Sequence, residues 1–208
     1  MANTQATFGF KPIGYLSGGS PDFQLSTRAI SKTNATAIGF GDPVVRVNAT
    51  SPYITQGAAS TSSPIEGIFQ GCYYIPTGGG APVWSPGWPG VTVAADATAY
   101  IIDAPNAQFL VATLLTSITT GQIGQVVNYN IGTASTTGAM MSGATIDQST
   151  ATSTALGTTY SGQPFRIVNV YGGTGNFGGV GNGTDTTTNY NWVIVGFNNQ
   201  INRTLGGF

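Results

Sequence analysis

The chain carries only six basic and seven acidic side chains in 208 residues, and this scarcity of charge constrains its fold more than any other feature. Ordinary soluble domains are about 25% charged. Surface helices draw on Glu, Lys and Arg, which are good helix formers and supply their solvated faces. Those residues are nearly missing here. The apolar segments are instead rich in Val, Ile, Thr, Tyr and Phe, which fit strands. Clusters of Gly, Pro, Asn and Ser punctuate them at short intervals. Hydrophobic residues at 40% separate the chain from disordered sequences, which combine low hydrophobicity with high net charge. The expectation is an all-β protein built on a single β-barrel or sandwich-like domain, with an extended N-terminal arm and long Gly/Pro-rich loops.

The same composition removes several chemistries. There is no His, so a Ser-His-Asp triad, a Cys-His pair and a His-rich metal site are impossible. One cysteine, Cys72, rules out a disulfide within the chain. Six basic residues do not make a broad phosphate-neutralising patch. No apolar run reaches the roughly 18–20 residues of a membrane helix. Nucleic acid and membrane are therefore not expected as partners. The first residues, MANTQATFGF, show neither the basic nor the apolar region of a secretion signal. A near-neutral surface also lacks the repulsion that keeps proteins apart, which is compatible with a surface covered by neighbours.

Along the chain, residues 1–36 read as an irregular arm. Phe8–Tyr15 mixes aromatics with Gly and Pro12 and sustains no period. Residues 37–199 read as the barrel or sandwich domain and 200–208 as a tail. Gly41-Asp42-Pro43 is a turn leading to a strand at Val44, Val45 and Val47. Residues 48–64 and 76–90 read as loops, the second carrying Trp84 and Trp88. Strands are expected at 65–75, 99–103, 107–113, 125–131, 163–173 and 189–199. Pro105-Asn106 is expected to join the second and third of these into a hairpin, and a short strand or loop is expected around Thr145–Gln148. No internal repeat of fixed period is visible.

Motif by motif, chemistry is thin. Residues 173–178 fit GxGxxG, but the residues after them cannot open the helix that a dinucleotide site needs. The carboxylates do not form a Ca²⁺-loop pattern. A glycosidase pair such as Asp96 with Asp103 is not excluded by sequence, although Asp42 and Asp103 read as turn-makers. Cys72 reads as a small buried hydrophobe. Asn34, Asn48, Asn182 and Asn202 begin Asn-x-Thr triplets that a Thr- and Asn-rich chain produces by chance. No catalytic, cofactor-binding or metal site is expected. The Trp84/Trp88 segment admits three roles: a sugar platform, a subunit interface, or a cover over the chain's own core.

Several short segments resemble the head structural proteins of tailed bacteriophages. They are Ala2-Asn3-Thr4, Phe8-Gly9-Phe10-Lys11-Pro12-Ile13-Gly14 with Gly18-Gly19, and Gly41-Asp42-Pro43-Val44-Val45. Further segments are Ile65–Gly67 leading to Tyr73-Tyr74-Ile75-Pro76, Ala99–Pro105 followed by Phe109–Val111, and Gly162–Val168. The resemblance spans residues 1–170. It implies a non-enzymatic protein of the virion that decorates or cements the capsid surface, with the major capsid protein and further copies of itself (a trimer or dimer) as partners. The alternative is a tail, fibre or receptor-binding protein whose aromatic loop meets glycan. The interface residues expected on this basis are Phe8, Phe10, Lys11, Pro12, Tyr15, Tyr73, Tyr74, Trp84 and Trp88.

Overall fold

The structure, a computed structural model, describes residues 7–18, 24–58, 64–114, 118–133, 140–152, 162–171, 183–184 and 188–202. The chain is all-β, with two antiparallel sheets. The strands are β1 (Lys11–Tyr15), β2 (Ser26–Ile30), β3 (Pro43–Arg46), β4 (Ile54–Gln56), β5 (Gly67–Tyr74) and β6 (Val83–Ser85). They continue as β7 (Ala97–Ile102), β8 (Ala107–Ala112), β9 (Val126–Asn130), β10 (Thr145–Thr152), β11 (Phe165–Val170) and β12 (Trp192–Phe197). One sheet runs β1-β8-β12-β11-β9-β10. The other runs β2-β7-β5-β3-β4, with β6 beside the far end of β5.

The two sheets repeat one five-stranded unit. In β2-β7-β5-β3-β4 the strands follow the order first, fifth, fourth, second, third of their own segment. In β8-β12-β11-β9-β10 they follow the same order. In each unit a parallel bridge brings the first and third strands together, Ala29 to Tyr53 and Thr113 to Ile146. Neither sheet closes as a continuous barrel. The registers agree residue by residue. Gly41 (φ +88°) donates to Phe69 O and Phe69 donates back to Asp42 O, while Gly124 (φ +87°) donates to Ile167 O and Ile167 to Gln125 O. The fourth strand carries a bulge at the same place, between Phe69 and Gly71 and between Ile167 and Asn169.

Interior positions correspond accordingly. Val44, Ile54, Phe69, Cys72, Ala99 and Ile101 fill the first unit. Val127, Ile146, Ile167, Val170, Val193 and Val195 fill the second. A search for a fixed period misses this because the spacing drifts. Ala29 and Ala112, like Val44 and Val127, are 83 apart, whereas Ile54 and Ile146 are 92 apart and Phe69 and Ile167 are 98 apart. Connections of different length separate strands whose equivalent residues mostly differ.

The units pack against each other through one end of the first. On β5 and β7 alternate residues face opposite ways. Phe69, Cys72, Ala99 and Ile101 point into the first unit, while Ile68 and Ile102 join the core of the second.

The structure corrects several expectations. The described part of residues 1–36 is no irregular arm. β1 pairs with β8 and β2 with β7, and Phe10 is fully buried. The first 36 residues lack a period because β1 is short and bulged between Pro12 and Gly14, which breaks the alternation. The expected 99–103/107–113 hairpin does not form. β7 has both edges taken by β2 and β5, and β8 by β12 and β1, so Pro105-Asn106 links the two sheets. The 48–64 and 76–90 loops contain β4 and β6, and Ile54 is buried. The expected tail begins inside the body, where Gln200 bridges Ile65 and is 1% exposed. The GxGxxG run and Asn182 lie outside the described residues, as do residues 1–6 and 203–208.

Replacing Phe10 with Ala is expected to lower stability by about 3–5 kcal/mol, the cost of truncating a fully buried aromatic. Deleting residues 1–18 is expected to destabilise the second unit. Denaturant unfolding of both variants checks this, and a deletion variant with the parent's midpoint would contradict it.

Candidate functional site

Three features bear on function: two aromatic clusters on the outside, a buried ionic network, and a buried carboxylate at the seam between the units.

The first cluster lies on β5, β6 and β7. It occupies the same sheet face whose other end, Ile68 and Ile102, is covered by the second unit. Register places Tyr73 opposite Trp84 and Thr98, and Gly71 opposite Tyr100. The rings meet at 5.1 Å for Tyr73–Trp84, 6.0 Å for Tyr73–Tyr100 and 5.6 Å for Trp84–Tyr100. Gly71 makes this possible. A Cβ there would come within 2.5 Å of the Trp84 indole, and its φ of +131° suits only glycine. Tyr73 and Trp84 remain 43% and 48% exposed, so this is surface left open rather than core. Each close ring pair adds about 0.5–1.5 kcal/mol beyond burial, which holds the cluster rigid.

The second unit has its own cluster at the same end of its sheet, with one equivalent position. Register makes Tyr171 the counterpart of Tyr73 and Trp192 the counterpart of Thr98. Tyr171 packs against Trp192 at 5.7 Å, and Phe8 meets Trp192 edge-on at 5.2 Å. Phe8, Lys11, Phe40, Leu110, Met141 and Trp192 line a cavity of about 240 Å³ here.

The residues expected at an interface therefore divide. Tyr73 and Trp84 are exposed together, Phe8 is half-buried in the second cluster, and Lys11 is exposed. Phe10 and Trp88 are consumed by the chain's own core, at 0% exposure. Phe10 stacks on Phe165 at 4.4 Å. Trp88 exchanges backbone hydrogen bonds with Ile38, donates its indole N–H to Asn34 O at 3.0 Å, and packs edge-on to Tyr74. Pro12 and Tyr15 are half-buried on β1. Sequence reasoning missed Tyr100, Tyr171 and Trp192. The alternation Tyr100-Ile101-Ile102 and the lone Trp192 at a strand start were the signals available.

The ionic network gathers four of the charged residues. Glu66, with a side chain at 0% exposure, accepts from Arg28 Nε at 2.5 Å and from Arg46 Nε at 2.8 Å. Arg28 also reaches Asp103 at 2.9 Å, and Ser26 donates to the same carboxylate at 2.7 Å. Burial works to raise the Glu66 pKa, but the hydrogen bonds and charges of the two arginines outweigh it and hold the group below its ordinary value. Asp96 is engaged elsewhere, accepting from Tyr53 Oη at 2.7 Å and Lys32 N at 2.9 Å. The two carboxylates weighed as a pair are thus bonded to separate partners.

Asp42 is the seam carboxylate. It is fully buried, accepts from Gly39 N and Gln56 Nε2 at 2.7 Å each, and takes a short hydrogen bond from Ser142 Oγ of the second unit. No cation faces it among the described residues. Burial raises its pKa, and the three hydrogen bonds only partly oppose this. Cys72 behaves as the expected buried hydrophobe, its thiol pushed up to about 12 by burial.

Comparison with known proteins finds no matching family model, curated protein or solved structure.

The opposite shifts of Asp42 and Glu66 give a pH test. A raised folded pKa stabilises below the unfolded value, and that contribution is lost as pH rises through the folded one. Asn at position 42 keeps an acceptor for Gly39 and Gln56 and a donor for Ser142. Asp42→Asn is therefore expected to be tolerated at neutral pH. The stability difference should move in favour of the parent as pH falls through the Asp42 range. Glu66→Gln should show the reverse, since a lowered pKa stabilises above the unfolded value. Unfolding free energies from pH 3 to 8, a range of ~5 units spanning ordinary carboxylate titration, measure both.

Proposed function

We propose that this chain is a non-enzymatic structural protein that decorates or cements the capsid shell of a tailed phage, bridging neighbouring capsomers. The observation that supports the reading is the pair of aromatic clusters, Tyr73/Trp84/Tyr100 and Phe8/Tyr171/Trp192, one on each of two repeated units and sharing the equivalent tyrosines Tyr73 and Tyr171. A bridging protein needs two similar docking patches held in fixed relation. Two weak sites joined rigidly bind far more tightly than either alone. Tyr and Trp dominate such interfaces because they bury much area and lose little rotamer freedom. The low charge around them fits an interface whose core is depleted of charged residues.

A second reading draws on one specific observation. The first cluster is bordered by the hydroxyls of Thr27 and Thr98, which face outward on the same sheet surface. Rings beside hydroxyls suit a sugar, so a tail or receptor-binding protein is the alternative.

Trp84→Ala and Tyr73→Ala are expected to weaken binding to capsids by about 30-fold or more, since interface anchors contribute at least about 2 kcal/mol. The isolated protein should stay folded and lose only the ring-pair energy, about 1–3 kcal/mol, because both rings are half exposed. Capsid co-sedimentation and melting curves read the two effects. Unchanged capsid binding with lost adsorption to host cells would favour the glycan reading. Imaging the particle, with the copy number on head and tail, separates the two independently.

A further inference from the structure

The repeat makes it possible to ask of each surface what its counterpart does. On the second unit, β1 adds to the outer edge of β8, pairing Lys11 with Leu110, Pro12 with Phe109 and Tyr15 with Ala107. Farther along the same edge the Thr113–Ile146 bridge closes the unit. On the first unit β2 is the counterpart of β8, and the Ala29–Tyr53 bridge links its first and third strands in the same way. No described strand pairs with the outer edge of β2 over Ser26–Arg28. A cleft of about 660 Å³ lies there, lined by Thr27, Arg28, Ala29, Arg46, Thr98 and the 50–52 turn.

This cleft and the small cavity of the second unit are one place in the repeat. Thr27 corresponds to Leu110, and Thr98 to Trp192. Met141, on the other unit's approach to its third strand, lies close to the counterpart of the 50–52 turn. In the second unit this place is occupied by Phe8 and Lys11 and shrinks to about 240 Å³. In the first it stands open.

The chemistry of the two places differs in a defined way. Phe10 leads into β1 by stacking on Phe165 and lying edge-on to Phe109, with Tyr129 also against Phe165. The register positions of Phe109, Val111 and Tyr129 in the first unit are Ser26, Arg28 and Arg46. An aromatic socket is thus replaced by arginines. Both are exposed in part, 23% and 40%, and no carboxylate lines the cleft, because Glu66 lies behind them at 0%. Arg46 spends Nε and Nη2 on Glu66, which leaves Nη1 without a partner among the described residues.

We propose that the outer edge of β2 receives an extended, carboxylate-bearing segment of a partner polypeptide, which adds a strand to the first unit as β1 does to the second. Main-chain pairing along an open edge supplies affinity, and a carboxylate on Arg46 supplies selectivity. The proposal does not depend on the capsid reading, since any partner offering such a segment satisfies it.

The test uses the full chain and two synthetic peptides. One has the sequence of residues 8–15, and the other is the same peptide with Phe10→Glu. The acidic peptide is expected to bind about tenfold more tightly, with the preference fading at high salt. It should slow amide exchange at Ser26–Arg28. Arg46→Lys, which keeps the charge facing Glu66 but loses the free Nη1 donor, should narrow the preference for the acidic peptide. Equal binding of both peptides, or no protection of β2, overturns the proposal. So does a dimer in sedimentation analysis that the acidic peptide dissolves, because the occupant is then a second copy of this chain.

Discussion

The seam between the two units holds the molecule together, and a backbone hydrogen bond and a buried carboxylate sit at its centre. Phe10 N donates to Gly41 O at 2.9 Å, fixing the entry of β1 beside the turn that starts β3. Gly41 must be glycine, because at φ +88° a Cβ would press on the Phe10 backbone at 3.1 Å. One residue later Asp42 reaches across to Ser142 of the second unit. Phe40 and Ser142 reinforce the crossing through Phe40 N to Met140 O and Ser142 N to Phe40 O. A buried carboxylate without a cation is costly unless its oxygens are satisfied, and three donors satisfy these. The seam therefore tolerates little change in position, and it sets how the two aromatic clusters sit relative to each other.

The two units show how one strand order accepts different interiors. The second is stacked with aromatics, Phe109, Phe165, Phe197, Tyr129 and the inserted Phe10. At the corresponding end of the first, Ser26, Arg28, Arg46, Glu66 and Asp103 form a hydrogen-bonded ionic network. A buried ion pair is weak evidence for stability, because desolvation offsets much of the attraction. Its effect here is on access. An aromatic plug excludes water and needs β1 over it, whereas a charged end remains compatible with an open edge. Natural sheets protect open edges with charge and short strands. β2 has only five residues, and its one charge, Arg28, turns inward to Glu66 and Asp103.

How much of this was legible follows from which forces are local. Strand type was readable at Gly67–Tyr74, Phe165–Val170 and Trp192–Phe197, where β-branched and aromatic residues are concentrated. The barrel or sandwich-like class followed from them. β4 and β6 were not readable, because three-residue strands inside Ser-, Pro- and Gly-rich stretches are set by their neighbours rather than by their own sequence. The apparent hairpin at Pro105 failed for a related reason. A turn fixes a reversal, but pairing also needs a free edge, and edge occupancy is a property of the whole sheet. The two tryptophans were treated as one feature, yet Trp88 fell into the core and Trp84 onto Gly71 at the surface. The sequence spacing carries no information on that choice, which depends on the side of β5 each residue meets.

The placement of charge also decides how this molecule can meet others. Arg28, Arg46, Glu66 and Asp103 neutralise one another, and Asp42 is sealed in the seam. That takes four of the thirteen charged side chains, all of this set but Arg46, off the outer faces, leaving faces rich in hydroxyl, amide and aromatic groups. Encounter with a partner at the aromatic clusters then gains little from electrostatic steering, so association there should be slow and nearly independent of salt. Affinity must come from slow dissociation, which buried aromatic anchors provide. The cleft beside β2 is the exception. With Arg46 at its wall it is a place on the first unit where a salt-dependent contact is expected to form.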